Sequence, residues 1–184
     1  LLPFWQHVLE GEGCQVKIVH IHRNPLETAQ SLQRRDQLDL EVAQMVWLRY
    51  VLDAEFYSRQ LPRYFSSFTQ LLENWQTVAS DLEQTLGLSL PNHDSHTVDN
   101  VDNFLAPSLR HQNVNTDDLN APGVASTWVK DTFEILERWV KDGENDQEHK
   151  TLDRVRLSFA DALPLISRPL QSNRVMSATV NTQK

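Results

Sequence analysis

Hydrophobic and polar residues follow two different patterns along the chain. A short β-branched run at 16–22 and a second short segment at 63–68 predict two strands. Longer stretches, with apolar residues three or four positions apart, predict helices at about 24–35, 40–60, 75–86, 126–141 and 147–163, and Thr69 is expected to cap a short helical segment at 70–73. The first elements are thus ordered strand, helix, helix, strand, helix. This order favours an α/β fold, since parallel strands need a helical crossover.

The same pattern predicts how the chain is organised. Residues 1–88 form the α/β part, residues 89–125 are polar and predict a long loop with one short turn or helix, and residues 126–166 predict the C-terminal helices. Pro164 is expected to end the last helix. Residues 167–184 are rich in Ser, Asn and Thr, which predicts a flexible tail.

Composition narrows the classes of function. The chain has 17 Lys and Arg against 25 Asp and Glu, a net charge of −8, which disfavours binding to nucleic acid or to anionic membranes. No apolar run approaches the roughly 18 residues of a membrane span, and no signal-peptide pattern is visible. Cys14 is the single cysteine, so it cannot form an internal disulfide. We therefore expect a cytoplasmic location.

The end of the first predicted strand carries the most informative residues. Arg23 follows the strand, and Asn24 and Pro25 then predict a helix start, with Glu27 at the third helical position. The helix N-terminus and the Arg23 guanidinium both favour an anion such as phosphate. Ser31 can reach the same anion only if the helix lies alongside it. The alternative is that Arg23 pairs with a nearby carboxylate and Ser31 is an ordinary surface hydroxyl.

The chain resembles, over about residues 1–112 and best over 16–88, the bacterial sulfotransferase family that uses 3′-phosphoadenosine 5′-phosphosulfate. In that family a strand ends in Arg-x-Pro, and a Ser follows eight residues after the Arg. Arg23, Pro25 and Ser31 match this pattern. The resemblance implies that Arg23 and Ser31 bind the 3′-phosphate of the nucleotide.

Two further residues are carried over by the same resemblance. The family has a Tyr-Glu-Asp-Leu-Leu-like motif after its next strand, and this chain has Phe68-Thr69-Gln70-Leu71-Leu72. Phe68 thus stands where the family's Tyr lies near the adenine. The segment Pro107-Ser108-Leu109-Arg110 is similar to a loop that brings a second basic residue, here Arg110, towards the nucleotide.

The chain lacks the motif that would hold the rest of the nucleotide. None of its five glycines belongs to a GxxxxGK or GxGxxG pattern, and the chain has no match to the Pro/Gly/Ser-rich loop with which the family cradles the 5′-phosphosulfate. The family's catalytic residues would also lie before Leu1, so those of this protein are unknown. We therefore expect a truncated P-loop-NTPase-like three-layer fold that is the C-terminal part of a sulfotransferase, is inactive alone and needs no metal. The complete enzyme would transfer a sulfuryl group to a hydroxyl or amine acceptor.

Other interpretations remain open. Two strands leave open sheet edges, which predicts a homo-oligomer or a covering segment before Leu1. The absent loop also fits a catalytically inactive interaction or scaffold module, with the C-terminal helices as its binding face. A nucleotide kinase relative is a weaker alternative, opposed by the missing Lys of a phosphate loop. His20 and His22 are expected to be core or site-lining residues rather than metal ligands.

Overall fold

A computed structural model describes residues 1–91, 94–105 and 116–181, with side chains described for all of these except 116–117 and 166–181. The chain divides into two compact units, Leu1–Asn145 and Asp146–Lys184. The second unit holds helix α8 (Asp146–Asn181). The first unit holds, in chain order, α1 (Leu2–Gly11), β1 (Ile18–His22), α2 (Pro25–Asp36), α3 (Leu40–Ser58), β2 (Arg63–Ser67), α4 (Phe68–Leu86), α5 (Ser95–Phe104), α6 (Thr116–Asn120) and α7 (Thr127–Asp142).

The fold is mixed α/β and mostly helical, and its described residues form one two-stranded sheet. β1 and β2 pair in parallel, from Ile18 opposite Arg63 to His22 opposite Ser67. The helices α2 and α3 form the crossover between the two strands and pack on each other. The parallel order predicted from the sequence is thereby confirmed. No helix among the described residues combines the length and the apolar character needed to cross a bilayer.

The two faces of the sheet differ in how far other residues cover them. His20 stacks on the ring of Phe65 with 4.5 Å between the ring centroids, and the ring of Trp139 on α7 meets Phe65 edge-on at 5.0 Å. Val19 and Ile21 lie on the other face, where they are 41% and 46% exposed. The prediction of a wholly buried strand is wrong for these two residues, because the face that carries them is only partly covered.

The start of the helix after β2 differs from the prediction, because a different residue caps it. Helix α4 begins at Phe68 because the Ser67 side chain accepts a hydrogen bond from the backbone N–H of Gln70, so Ser67 and not Thr69 is the N-cap. The two helices predicted after β2 form one element, with a non-helical backbone at Asn74 where they join. The segment predicted as a long loop contains α5 and α6 among its described residues.

Helix α8 continues past Pro164, so the predicted helix end at that residue is wrong. A proline inside a helix removes one backbone hydrogen bond and costs about 3 kcal/mol, but it does not by itself stop the helix. Residues 167–181, for which the composition predicts a flexible tail, belong to the same helix.

A buried network of charges fixes the start of β2. The Arg63 side chain is 5% exposed, and its Nη1 donates hydrogen bonds to the backbone carbonyl of Glu55 (2.8 Å) and to Ser58 Oγ (3.0 Å). Arg63 also pairs with Glu144, just after α7. The carboxylate of Glu55, itself 2% exposed, accepts two hydrogen bonds from Arg59. The network therefore ties the end of α3, the start of β2 and the end of α7 together.

Replacing Arg63 with Met is expected to lower the free energy of unfolding by about 3–5 kcal/mol, because Glu55 and Glu144 then lose a buried cationic partner. Arg49→Met is the matched control, since Arg49 is half exposed and pairs with Asp53 one turn along α3. Its expected cost is below about 1 kcal/mol. Urea unfolding followed by circular dichroism measures both variants, and equal losses would contradict a stabilising role for the buried network.

The environment of His20 opposes its protonation. Burial, aided by the positive charge of Arg63 and by His22, lowers the pKa of His20 from 6.5 to about 4, although Glu144 acts in the opposite direction. The ring Nε2 lies 2.8 Å from Ser58 Oγ. The folded protein therefore holds His20 neutral over a pH range in which the unfolded chain binds a proton.

Stability is expected to fall as the pH drops from 6.5 to 4, since the unfolded chain then gains a proton that the folded state does not take up. The total loss assigned to His20 is about 3 kcal/mol, from the 1.36 kcal/mol that each pKa unit represents. His20→Gln should flatten the decline in unfolding free energy with acid. His7→Gln, a change at an exposed histidine of α1, should leave the decline unchanged. If the unfolding free energy of the His20 variant falls with acid as steeply as that of the wild type, His20 does not cause the decline.

Candidate functional site

A pocket of about 530 Å³ opens at the carboxyl ends of the two strands. These ends lie at one edge of the sheet because His22 pairs with Ser67. Residues that follow β1 form one wall, residues at the start of α4 form a second, and α7 contributes Glu137 and Lys141 to a third. Arg23, the residue singled out from the sequence, lines this pocket. Ligands of α/β folds commonly bind at this edge of a sheet.

Arg23 is held from two sides. Its Nε donates a hydrogen bond of 2.8 Å to Oε2 of Glu27, whose side chain is 3% exposed, and its guanidinium carbon lies 4.7 Å from the centroid of the Phe68 ring. The pairing with a nearby carboxylate, the alternative raised by the sequence, is therefore present. Arg23 makes no other hydrogen bond to a described residue, so Nη1 and Nη2 keep their donors for a ligand.

Some of the backbone N–H groups at the N-terminus of α2 are unavailable to a ligand. Asn24 caps the helix, accepting a hydrogen bond of 2.9 Å from the backbone N–H of Leu26, and Pro25 has no N–H to offer. The carboxylate of Glu27 adds a negative charge in the first turn, where the helix dipole favours one. The cap predicted at Asn24 is confirmed. Nη1 and Nη2 of Arg23 are hydrogen-bond donors at this point that no described residue occupies.

The structure places the other candidate residues differently. Phe68 contacts the guanidinium of Arg23, although Phe68 does not itself line the pocket. Ser31 is exposed on α2, two turns into the helix, and lies outside the pocket lining. Arg110 lies outside the described residues.

His22 forms a buried pair at the pocket. Its side chain is 3% exposed, and its Nε2 lies 2.6 Å from Oε1 of Glu137. Because a carboxylate only accepts hydrogen bonds, Nε2 carries the proton of this pair. The His22 ring also meets Phe133 edge-on at 5.9 Å, which fixes the plane of the imidazole. Its Nδ1 is buried and has no hydrogen-bond partner among the described residues.

The α7 wall was not predicted from the sequence. Phe133, Glu137 and Lys141 follow one another at intervals of four residues, so they share one face of the helix. This spacing is visible in the sequence, but a helical stripe alone does not tell which strand end it packs against. Contacts of α7 with β2 and α3 bring that face to the pocket.

Comparison with known proteins adds no relative: no protein-family model, curated protein or solved structure matches this chain.

Proposed function

We propose that this chain supplies the 3′-phosphate-binding half of a sulfotransferase-like nucleotide site in a P-loop-NTPase-like fold. The observation that carries the proposal is Arg23, which lines a pocket at the carboxyl end of β1 and whose two Nη groups donate no hydrogen bond to a described residue. The match of Arg23, Pro25 and Ser31 to the family pattern supports the same assignment.

The contacts of Arg23 suit a phosphate ligand. A guanidinium can donate two parallel hydrogen bonds to phosphate oxygens, and such a pair gains strength when the plane of the guanidinium is already fixed. Glu27 holds the Nε edge and Phe68 covers one face, so the Nη edge is the part left for the ligand. In this proposal the ion pair with Glu27 orients Arg23 for binding.

The complete reaction would transfer a sulfuryl group from 3′-phosphoadenosine 5′-phosphosulfate to a hydroxyl or amine acceptor. The acceptor atom forms a bond to sulfur while the bond from sulfur to the bridging phosphate oxygen breaks. The acceptor loses a proton, and adenosine 3′,5′-bisphosphate leaves. Arg23 would contribute binding energy that holds the donor in line with the acceptor, and it has no acid–base role.

The double substitution Arg23→Gln, Glu27→Gln is expected to weaken binding of adenosine 3′,5′-bisphosphate at least tenfold, because a charge-assisted hydrogen bond contributes about 1.5–3 kcal/mol. Changing both residues avoids leaving the buried Glu27 carboxylate without Arg23. Titration calorimetry at low ionic strength measures the affinity, since salt screens exposed charges.

Arg35→Gln is the matched control for this experiment. Arg35 lies on the same helix, is 73% exposed and pairs with Asp36. Its replacement should change the affinity less than twofold. Ser31→Ala, measured alongside, tests whether the exposed hydroxyl joins the same phosphate. Wild-type affinity in the Arg23 double variant would refute the proposed site.

A second candidate function, an interaction module, is favoured by the exposed sheet face. Val19 and Ile21 lie at a groove of about 250 Å³, together with Trp75 on α4 and Phe104 on α5. Among the described residues β1 and β2 pair only with each other, so each keeps one open edge. Open edges and exposed apolar side chains favour association. The partner proposed here is a second copy of the chain.

The double substitution Val19→Thr, Ile21→Thr is expected to shift the chain from dimer towards monomer, because it removes apolar surface from this face while keeping β-branched residues. Size-exclusion chromatography with light scattering, over a range of protein concentrations, measures the mass. Tyr50→Thr, at a residue 65% exposed on α3, is the control and should leave the mass unchanged. A monomeric wild type at every concentration would exclude this association.

A further inference from the structure

We propose that Glu137 recognises a hydrogen-bond donor on the nucleoside part of the ligand whose phosphate binds Arg23. The inference rests on the proposed function, and it adds a residue that determines specificity. Glu137 lies on the α7 wall of the pocket that Arg23 lines from the β1 side. A sugar hydroxyl or a base amino group is the chemistry that this wall accepts.

The carboxylate of Glu137 is held in place by a hydrogen bond to one of its two oxygens. One oxygen, Oε1, accepts the hydrogen bond of the buried His22, whose ring is itself fixed against Phe133. Glu137 makes no further hydrogen bond or ion pair with a described residue, and its side chain is 40% exposed. Oε2 therefore keeps its acceptor capacity for a group that enters the pocket.

The charges of the pocket select the kind of ligand. Arg23 and Lys141 attract an anion, whereas Glu137 repels one. The attraction of Arg23 and Lys141 favours the binding of an inorganic anion, whereas the repulsion by Glu137 weakens it. A ligand that carries a phosphate can bind Arg23, and a neutral hydroxyl or amino group some distance away on the same ligand can donate a hydrogen bond to Glu137. A nucleoside phosphate has this combination.

His22 acts as a positioning residue for Glu137. A half-exposed glutamate on a helix samples several rotamers, and fixing one of them removes part of the entropic cost of binding. The buried imidazole fixes Oε1 at 2.6 Å. The neighbouring Glu134 on α7 has no such buried partner, because its own side chain is 54% exposed and Arg138, which it approaches at 3.9 Å, is 50% exposed.

The test compares two ligands in amide NMR titrations of the full chain. Adenosine 3′,5′-bisphosphate carries hydroxyl and amino donors, while sulfate at neutral pH carries none. Glu137→Met should weaken the bisphosphate about tenfold and tighten sulfate about twofold, because it removes an acceptor from the first and a repulsive charge from the second. Glu137→Gln, which keeps an oxygen acceptor, should give a smaller loss for the bisphosphate.

Glu134→Met is the matched control, with the same change of charge on the same helix, and it should alter neither affinity more than twofold. Effects of opposite sign on the two ligands support the inference. If Glu137→Met weakens both ligands alike, or neither, Glu137 is not a recognition residue. If the wild type binds neither ligand, the proposed function itself fails, so the two failures can be told apart.

Discussion

Arg63 carries a positive charge at a position that is almost fully buried, and this charge dictates where β2 begins. A buried guanidinium must be surrounded by acceptors, and here they come from the end of α3 and from Glu144 beyond α7. Because Arg63 is the first residue of β2 and pairs with Ile18, the network sets the register of the two strands. The register in turn brings His22 beside Ser67. The pocket at the carboxyl edge therefore depends on a network at the opposite end of the sheet.

The local features of the site were predictable, because short-range chemistry determines them. The start of α2 follows from Asn24 and Pro25, and the position of Arg23 follows from the strand that precedes it. The sequence predicted that Arg23 could pair with a nearby carboxylate, but it did not predict which one. Glu27 was expected to cap the helix, and the structure shows its carboxylate buried beneath the guanidinium. The burial of Glu27 depends on the whole fold, so it cannot be predicted from the pattern of residues at the helix start.

The long-range features were not predictable. Glu137 lies 115 positions from His22, and no local pattern connects the two residues. The contact exists because α7 packs on β2, which depends on apolar complementarity between the side chains of both elements. Helix α8 shows a different failure, because it continues past Pro164 although a local rule predicts its end there. Rules for single residues succeed at the Asn24 cap, and they do not predict a contact between distant elements such as that of His22 with Glu137.

The alternation in β1 links the fold to the site. Side chains of a strand point to opposite faces in turn, so one face of β1 carries His20 and His22 while the other carries Val19 and Ile21. A shift of one residue would bury the apolar pair, would carry His22 away from α7 and would carry His20 away from Phe65. His22 would then lose Glu137, and its buried imidazole would lose the hydrogen bond that satisfies Nε2. The observed register thus leaves two apolar residues exposed, and it keeps His22 against α7 at the polar pocket.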